Sequence, residues 1–191
     1  MYLNGWGVER NAADAVDLYR RAAEQGSGLA MTELGFCYAS GAGVPQSAND
    51  ASYWFRMGAS KGEPNAQYNL GICYLRGIGV PPSAEDAFLW FTASAERGDV
   101  NAQYAVGRLY ESGQGVTRNL EKAMYWYDKA REQGHMDAMS SYRDLMLQGI
   151  QSWQRENLEA GMKVIKEAED RLAKQLAEEA AAASKTSPEK R

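Results

Sequence analysis

His135 is the only histidine of this 191-residue chain, and Cys37 and Cys73 are its only cysteines, so the side chains best suited to nucleophilic or metal chemistry are few. A catalytic triad needs a base beside its nucleophile, and a metal centre needs several convergent ligands. No serine, cysteine or carboxylate can find a second histidine here. His135 follows Gly134 in a turn, where it reads as a solvated or helix-start residue and not as a general base. Four Gly-x-Gly-Val runs, at Gly5, Gly41, Gly77 and Gly113, resemble phosphate loops only superficially: they follow helical patterns, not strands, and lack the rest of either nucleotide fingerprint. The chain is therefore expected to be no enzyme and to need no cofactor or metal. Against 25 acidic residues stand 21 basic ones, a net charge of -4, which leaves no electrostatic footprint for nucleic acid. No run approaches the ~18 apolar residues that would cross a bilayer. Two compartments stay open: cytoplasmic as the sequence stands, or periplasmic or exported if a leader preceded Met1.

The elements that would carry any site follow from a period of 36 residues. Gly5, Gly41, Gly77, Gly113 and Gly149 form one column of that period, Gly7, Gly43, Gly79 and Gly115 a second, Gly26, Gly62, Gly98 and Gly134 a third, and Gly35, Gly71 and Gly107 a fourth. Each unit reads as two helices. Ala66, Leu70, Gly71 and Tyr74 share one face of a first helix expected over 65–76, which Gly77 ends in a left-handed conformation. Asn11, Ser47, Ser83 and Asn119 are expected N-caps of the second helix, with Asp14, Asp50 and Asp86 in its first turn. Ala15, Ala51, Ala87 and Ala123 leave room for a close neighbour, and Trp54, Trp90 and Trp126 with Phe55, Phe91 and Tyr127 read as core. Cys37 and Cys73 occupy one column, on adjacent parallel helices roughly 8–10 Å apart, too far for a disulfide. They are expected to be buried free thiols.

The combination Leu-Gly-x-x-Tyr at Leu70–Tyr74, Gly-x-Gly-Val at Gly77–Val80, Ala-x-x-Trp-Phe at Ala87–Phe91 and then Gly98 resembles the Sel-one-like repeat, a relative of the tetratricopeptide repeat. The resemblance implies an all-α fold, antiparallel helix pairs stacked into a right-handed superhelical solenoid, and adaptor roles in signalling, protein quality control and bacterial host interaction. Physics points the same way, because a helix pair cannot bury its apolar face alone and neighbours must stack. Complete copies are expected at 29–64, 65–100 and 101–136, with partial copies at both ends of a solenoid spanning 1–149. Met1 falls in the column of Cys37, so the opening helix reads as cut. After Gly149, the stripe of Leu158, Met162, Ile165, Leu172 and Leu176, interrupted by Glu169, predicts one long helix over 150–183. A cap over the last repeat is preferred to a coiled coil with another chain, since too few heptads are sustained. A frayed tail is expected over 184–191.

The binding face follows from what the core leaves over. With Leu34, Leu70 and Val106 inward beside Tyr38, Tyr74 and Tyr110, positions two before and two after turn to the concave side. These are Thr32, Tyr68 and Tyr104, then Phe36, Ile72, Arg108 and Asp144, with Leu75, Arg76 and Glu111 a turn further on; the same offsets line the ligand groove of related tetratricopeptide arrays. A groove apolar and aromatic near Phe36, Tyr68, Ile72 and Tyr104 and charged toward Arg108 and Asp144 suits a peptide or helix from a partner protein; the alternative is that Tyr68 and Tyr104 merely seal contacts between repeats. Two alternatives to the scaffold come from the resemblance: immunity proteins that occlude a bacterial toxin, and cysteine-rich relatives described as β-lactam-binding or hydrolysing, whose paired cysteines per repeat this chain lacks. Self-association would use the exposed first repeat or the C-terminal helix.

Overall fold

Residues 11–186 are described by the structure, a computed structural model. The expectations for the cut opening helix, for Gly5 and Gly7, for positions 187–191 and for the side chains of Leu172 and Leu176 lie outside the described residues.

Among the described residues eight helices follow one another: α1 (Ala12–Glu24), α2 (Gly28–Ser40), α3 (Ala48–Ser60), α4 (Pro64–Arg76), α5 (Ala84–Glu96), α6 (Val100–Ser112), α7 (Leu120–Glu132) and α8 (Met136–Thr186). No strand occurs among the described residues. The connections alternate between long ones, such as 41–47, and short ones, such as 61–63. Each helix packs on its sequence neighbours through α7, the arrangement of a helix-pair solenoid.

The same chemistry starts each second helix. Asn11 accepts from the Ala13 and Asp14 N–H groups at 3.0 and 3.3 Å, Ser47 from Asp50 N–H at 3.2 Å, Ser83 from Asp86 N–H at 3.1 Å, and Asn119 from Lys122 N–H at 2.9 Å. First helices have caps of their own in another column: Ser27 accepts from Ala30 N–H, Asp99 from Ala102 N–H, and His135, through Nδ1, from Ala138 N–H at 3.2 Å. Glu63 makes no such bond, and Pro64 at the first turn compensates by lacking one of the orphan donors. His135 is thus a helix-start residue.

The interior repeats with the sequence. Leu34, Leu70 and Val106 are fully buried, and Ala51, Ala87 and Ala123 let the helices close up. Gly35, Gly71 and Gly107 lie under the rings of Phe55, Phe91 and Tyr127: an added Cβ would come within 2.5, 2.7 and 2.6 Å of them. Gly79, at φ +68°, brings the long loop so near the start of α3 that a Cβ would sit 2.1 Å from the Ala48 carbonyl oxygen, and Ser52 Oγ donates to the Gly79 carbonyl at 3.0 Å. Cys37 and Cys73 are buried free thiols, and burial raises the pKa of both.

Two features differ from the sequence expectation. The long helix expected over 150–183 is part of a longer one, since α8 begins at Met136 and runs through Gly149 to Thr186. Compactness instead divides the chain after Arg143, within α8. In the second unit Leu158, Met162 and Ile165 are 65, 61 and 61% exposed. No helix among the described residues is long and apolar enough to cross a membrane.

Candidate functional site

The first helix of each repeat contributes the candidate face, and its ten expected residues fall into three groups. Thr32 does not belong to it. It is buried, its Oγ1 donates to the Gly28 carbonyl at 2.9 Å, and α3 crosses so closely that a Cβ on Gly58 would meet that Oγ1 at 2.9 Å. A glycine on the facing helix, and not the position of Thr32 on its own, removes it from solvent.

Tyr68 and Tyr104 are half-buried against the next core aromatic, with ring centroids 5.6 Å from Phe91 and 5.6 Å from Tyr127. Burial, with a smaller contribution from Asp99, raises the Tyr68 phenol pKa, while Arg76 opposes the shift. Tyr104 also stacks on His135 at 4.5 Å, so the cap of α8 is held against the preceding first helix. These contacts seal one repeat to the next.

Of the remaining seven, Phe36, Ile72, Leu75 and Arg108 line two clefts, and Arg76, Glu111 and Asp144 line neither. The larger, about 550 Å³, is bounded by α2, α3 and α4 and lined by Phe36, Ala39, Phe55, Ile72, Cys73 and Ile78, with Gln46 and Asn69 at its polar margin. Phe36 is 40% exposed and meets Phe55 edge-on at 5.2 Å. The smaller, about 190 Å³, is lined by Leu75, Phe91, Ala105, Arg108, Leu109, Ser112 and Gln114. Arg76, the last residue of α4, is exposed. Glu111 is half-buried and accepts a hydrogen bond from the Tyr127 hydroxyl at 2.5 Å. Burial first, and then that carboxylate, holds the phenol pKa well above its ordinary range, so Tyr127 is a neutral donor. Asp144 is exposed at the start of the second unit.

Sequence reasoning therefore named Phe36, Ile72, Leu75 and Arg108 as face residues, and the structure sets them around clefts. It missed Ala39, Asn69, Ile78 and Gln114, whose signal lies in the period: Ala39 precedes Leu75 by one repeat, Asn69 precedes Ala105, and Ile78 precedes Gln114. It also missed the buried pair Gln67 and Gln103, whose side-chain amides donate to the Ala59 and Ala95 carbonyls at 3.4 and 3.3 Å and tie successive helix pairs together. Among the described residues no three His, Cys, Asp or Glu side chains converge as metal ligands would. The face offers an apolar recess, aromatic walls and an exposed guanidinium.

Comparison with known proteins agrees in kind. The Sel1 repeat family model matches residues 1–27, 28–63, 64–99 and 100–135. A protective antigen present in uropathogenic Escherichia coli strains, displaying an SLR fold, is similar at 41% identity over 72% of this chain, with a TM-score of 0.70. A Sel1 repeat protein from Oxalobacter formigenes is similar at 33% identity over 75% of the chain, with a TM-score of 0.71. This chain spans only 29% and 59% of the lengths of those two proteins. Cysteine rich protein B of Helicobacter pylori shares the fold, at 18% identity and a TM-score of 0.55 over 69% of this chain and 94% of its own. No curated protein matches at a comparable level.

Proposed function

Because this chain belongs to the Sel1 repeat family, whose members are generally protein-interaction scaffolds, we propose that it is a non-catalytic adaptor holding a segment of another protein along its first helices. One observation carries the reading: the larger cleft is open, mostly apolar, and walled by Phe36 and Ile72, two large hydrophobic residues left partly exposed by adjacent repeats. An exposed apolar recess on a rigid array is a typical anchor site for a partner's side chain. A catalytic reading has no comparable support. The only histidine spends one ring nitrogen capping α8 and stacks its face on Tyr104, and both thiols are buried with raised pKa values.

The proposal is tested by capture from the source organism with the full chain, comparing wild type with Phe36→Asp and Ile72→Asp and with Leu89→Ser as control. Leu89 is 63% exposed on a second helix, away from the clefts' lining. Loss of a stoichiometric partner in both cleft variants, with the control unaffected and all three equally helical, is expected. Retention by both cleft variants would move the interaction to another surface.

A further inference from the structure

The two clefts are one feature repeated. Moving the lining of the larger by one repeat turns Ala39 into Leu75, Phe55 into Phe91, Asn69 into Ala105, Ile72 into Arg108, Cys73 into Leu109 and Ile78 into Gln114, and all six of the latter line the smaller. Four of those replacements change its size or polarity. Leucine in place of Ala39 fills space, consistent with the fall from about 550 to about 190 Å³. Arginine and glutamine in place of two isoleucines add a cation and a hydrogen-bonding amide, while Ala105 in place of Asn69 removes a polar group.

Arg108 is available to a ligand for a local reason. On α6 its acidic neighbour one turn on is Glu111, the spacing at which helical ion pairs form. That carboxylate is instead engaged by the Tyr127 hydroxyl at 2.5 Å. Arg108 is exposed and forms no ion pair among the described residues, and neither does Arg76 at the end of the neighbouring first helix. In a chain with net charge -4 these guanidiniums are a local departure from the general balance. A planar, permanently charged fork suits a carboxylate.

We propose that the clefts act together as a bipartite site for an extended peptide segment carrying an apolar side chain and an acidic side chain, the first seated between Phe36 and Ile72 and the second paired with Arg108. The inference rests on the adaptor reading above and specifies its partner. Helices of successive repeats pack roughly 8–10 Å apart, and an extended chain advances about 3.3 Å per residue. A side chain seated midway between α2 and α4 lies about one and a half such spacings, roughly 12–15 Å, from Arg108 on α6, so the two side chains lie about four residues apart in the ligand. Leu75, half-buried in the lining of the smaller cleft, gives the segment an apolar contact beside Arg108.

A randomised peptide library selected on the full chain tests this, with the selected peptides synthesised and their affinities measured by fluorescence polarisation. Selected sequences should pair an apolar residue with Asp or Glu about three to five positions away. Changing that acid to Asn, or the protein by Arg108→Glu, should weaken binding about tenfold, and rising salt should weaken the wild-type complex. Selection on Arg108→Glu should exchange the acid for Lys or Arg while keeping the apolar residue, and Leu89→Ser should change nothing. Peptides that require Phe36 and Ile72 but show no acidic preference, or keep it on Arg108→Glu, would overturn the bipartite site and leave the adaptor reading intact. Peptides that bind Phe36→Asp and Ile72→Asp as well as wild type, or a failure to select any peptide, would overturn both.

Discussion

Gly71→Ala isolates the close contact on which the repeat depends. In an ordinary helix interior the substitution gains about 1 kcal/mol, because alanine loses less backbone entropy on folding. Here the new methyl would lie 2.7 Å from two ring carbons of Phe91, whose side chain is buried and cannot swing aside into solvent. Overpacking of this kind costs about 1–3 kcal/mol. The balance is a net loss of about 1 kcal/mol, lowering the melting temperature by roughly 2–4 °C in a chain of this size. The assay is thermal unfolding by circular dichroism in a double-mutant cycle with Phe91→Leu, which removes the ring. With the ring gone the added methyl should no longer be penalised, giving a coupling of about 0.5 kcal/mol or more. If Gly71→Ala raises the melting temperature by the same amount with and without Phe91, helix spacing is not set by this glycine and the packing argument fails.

Three further outcomes are expected. Cys37 and Cys73 should react with a thiol reagent only as the chain unfolds, since both are buried and their thiols resist ionisation; rapid labelling of either in the native protein would contradict this. Gly79→Ala should destabilise far more than Gly98→Ala, because both have positive φ but only Gly79 has backbone, the Ala48 carbonyl oxygen, 2.1 Å from the added carbon, whereas nothing lies within 4 Å at Gly98; equal melting temperatures would remove the loop contact from the account. Tyr127 has its pKa raised in the folded chain, so its contribution is fully present below about pH 10, where an unfolded tyrosine ionises, and is lost as pH rises further. Tyr127→Phe should therefore flatten the decline in stability above that pH, and an unchanged decline would place its cause elsewhere.

Most of the fold was legible because the period repeats local chemistry. Ser47 and Ser83 cap helices that begin where the sequence puts them, and the columns of Gly35 and Gly41 mark a helix contact and a helix end. Gly149 keeps the column but not its surroundings: Gln151 and Ser152 stand where the Gly-Val of every other turn would be, and a lone glycine is tolerated inside α8. The face was harder to read, since exposure on a helix depends on what the facing helix leaves open. Thr32 and Tyr68 share a column, yet Thr32 disappears beneath Gly58 while Tyr68 leans on Phe91. Each cleft needs residues from three elements brought together by stacking, which no single-helix pattern encodes.

Site-specific photo-crosslinking in the source cells tests the adaptor claim most directly. A benzophenone amino acid at position 36 or 72, on the large cleft, is compared with the same probe at 53 or 89, where Tyr53 and Leu89 are exposed on second helices. The cleft positions should each yield one discrete crosslinked protein species that the second-helix positions do not. Crosslinks confined to 53 and 89, with positions 36 and 72 silent, would contradict the claim that the first helices hold the partner.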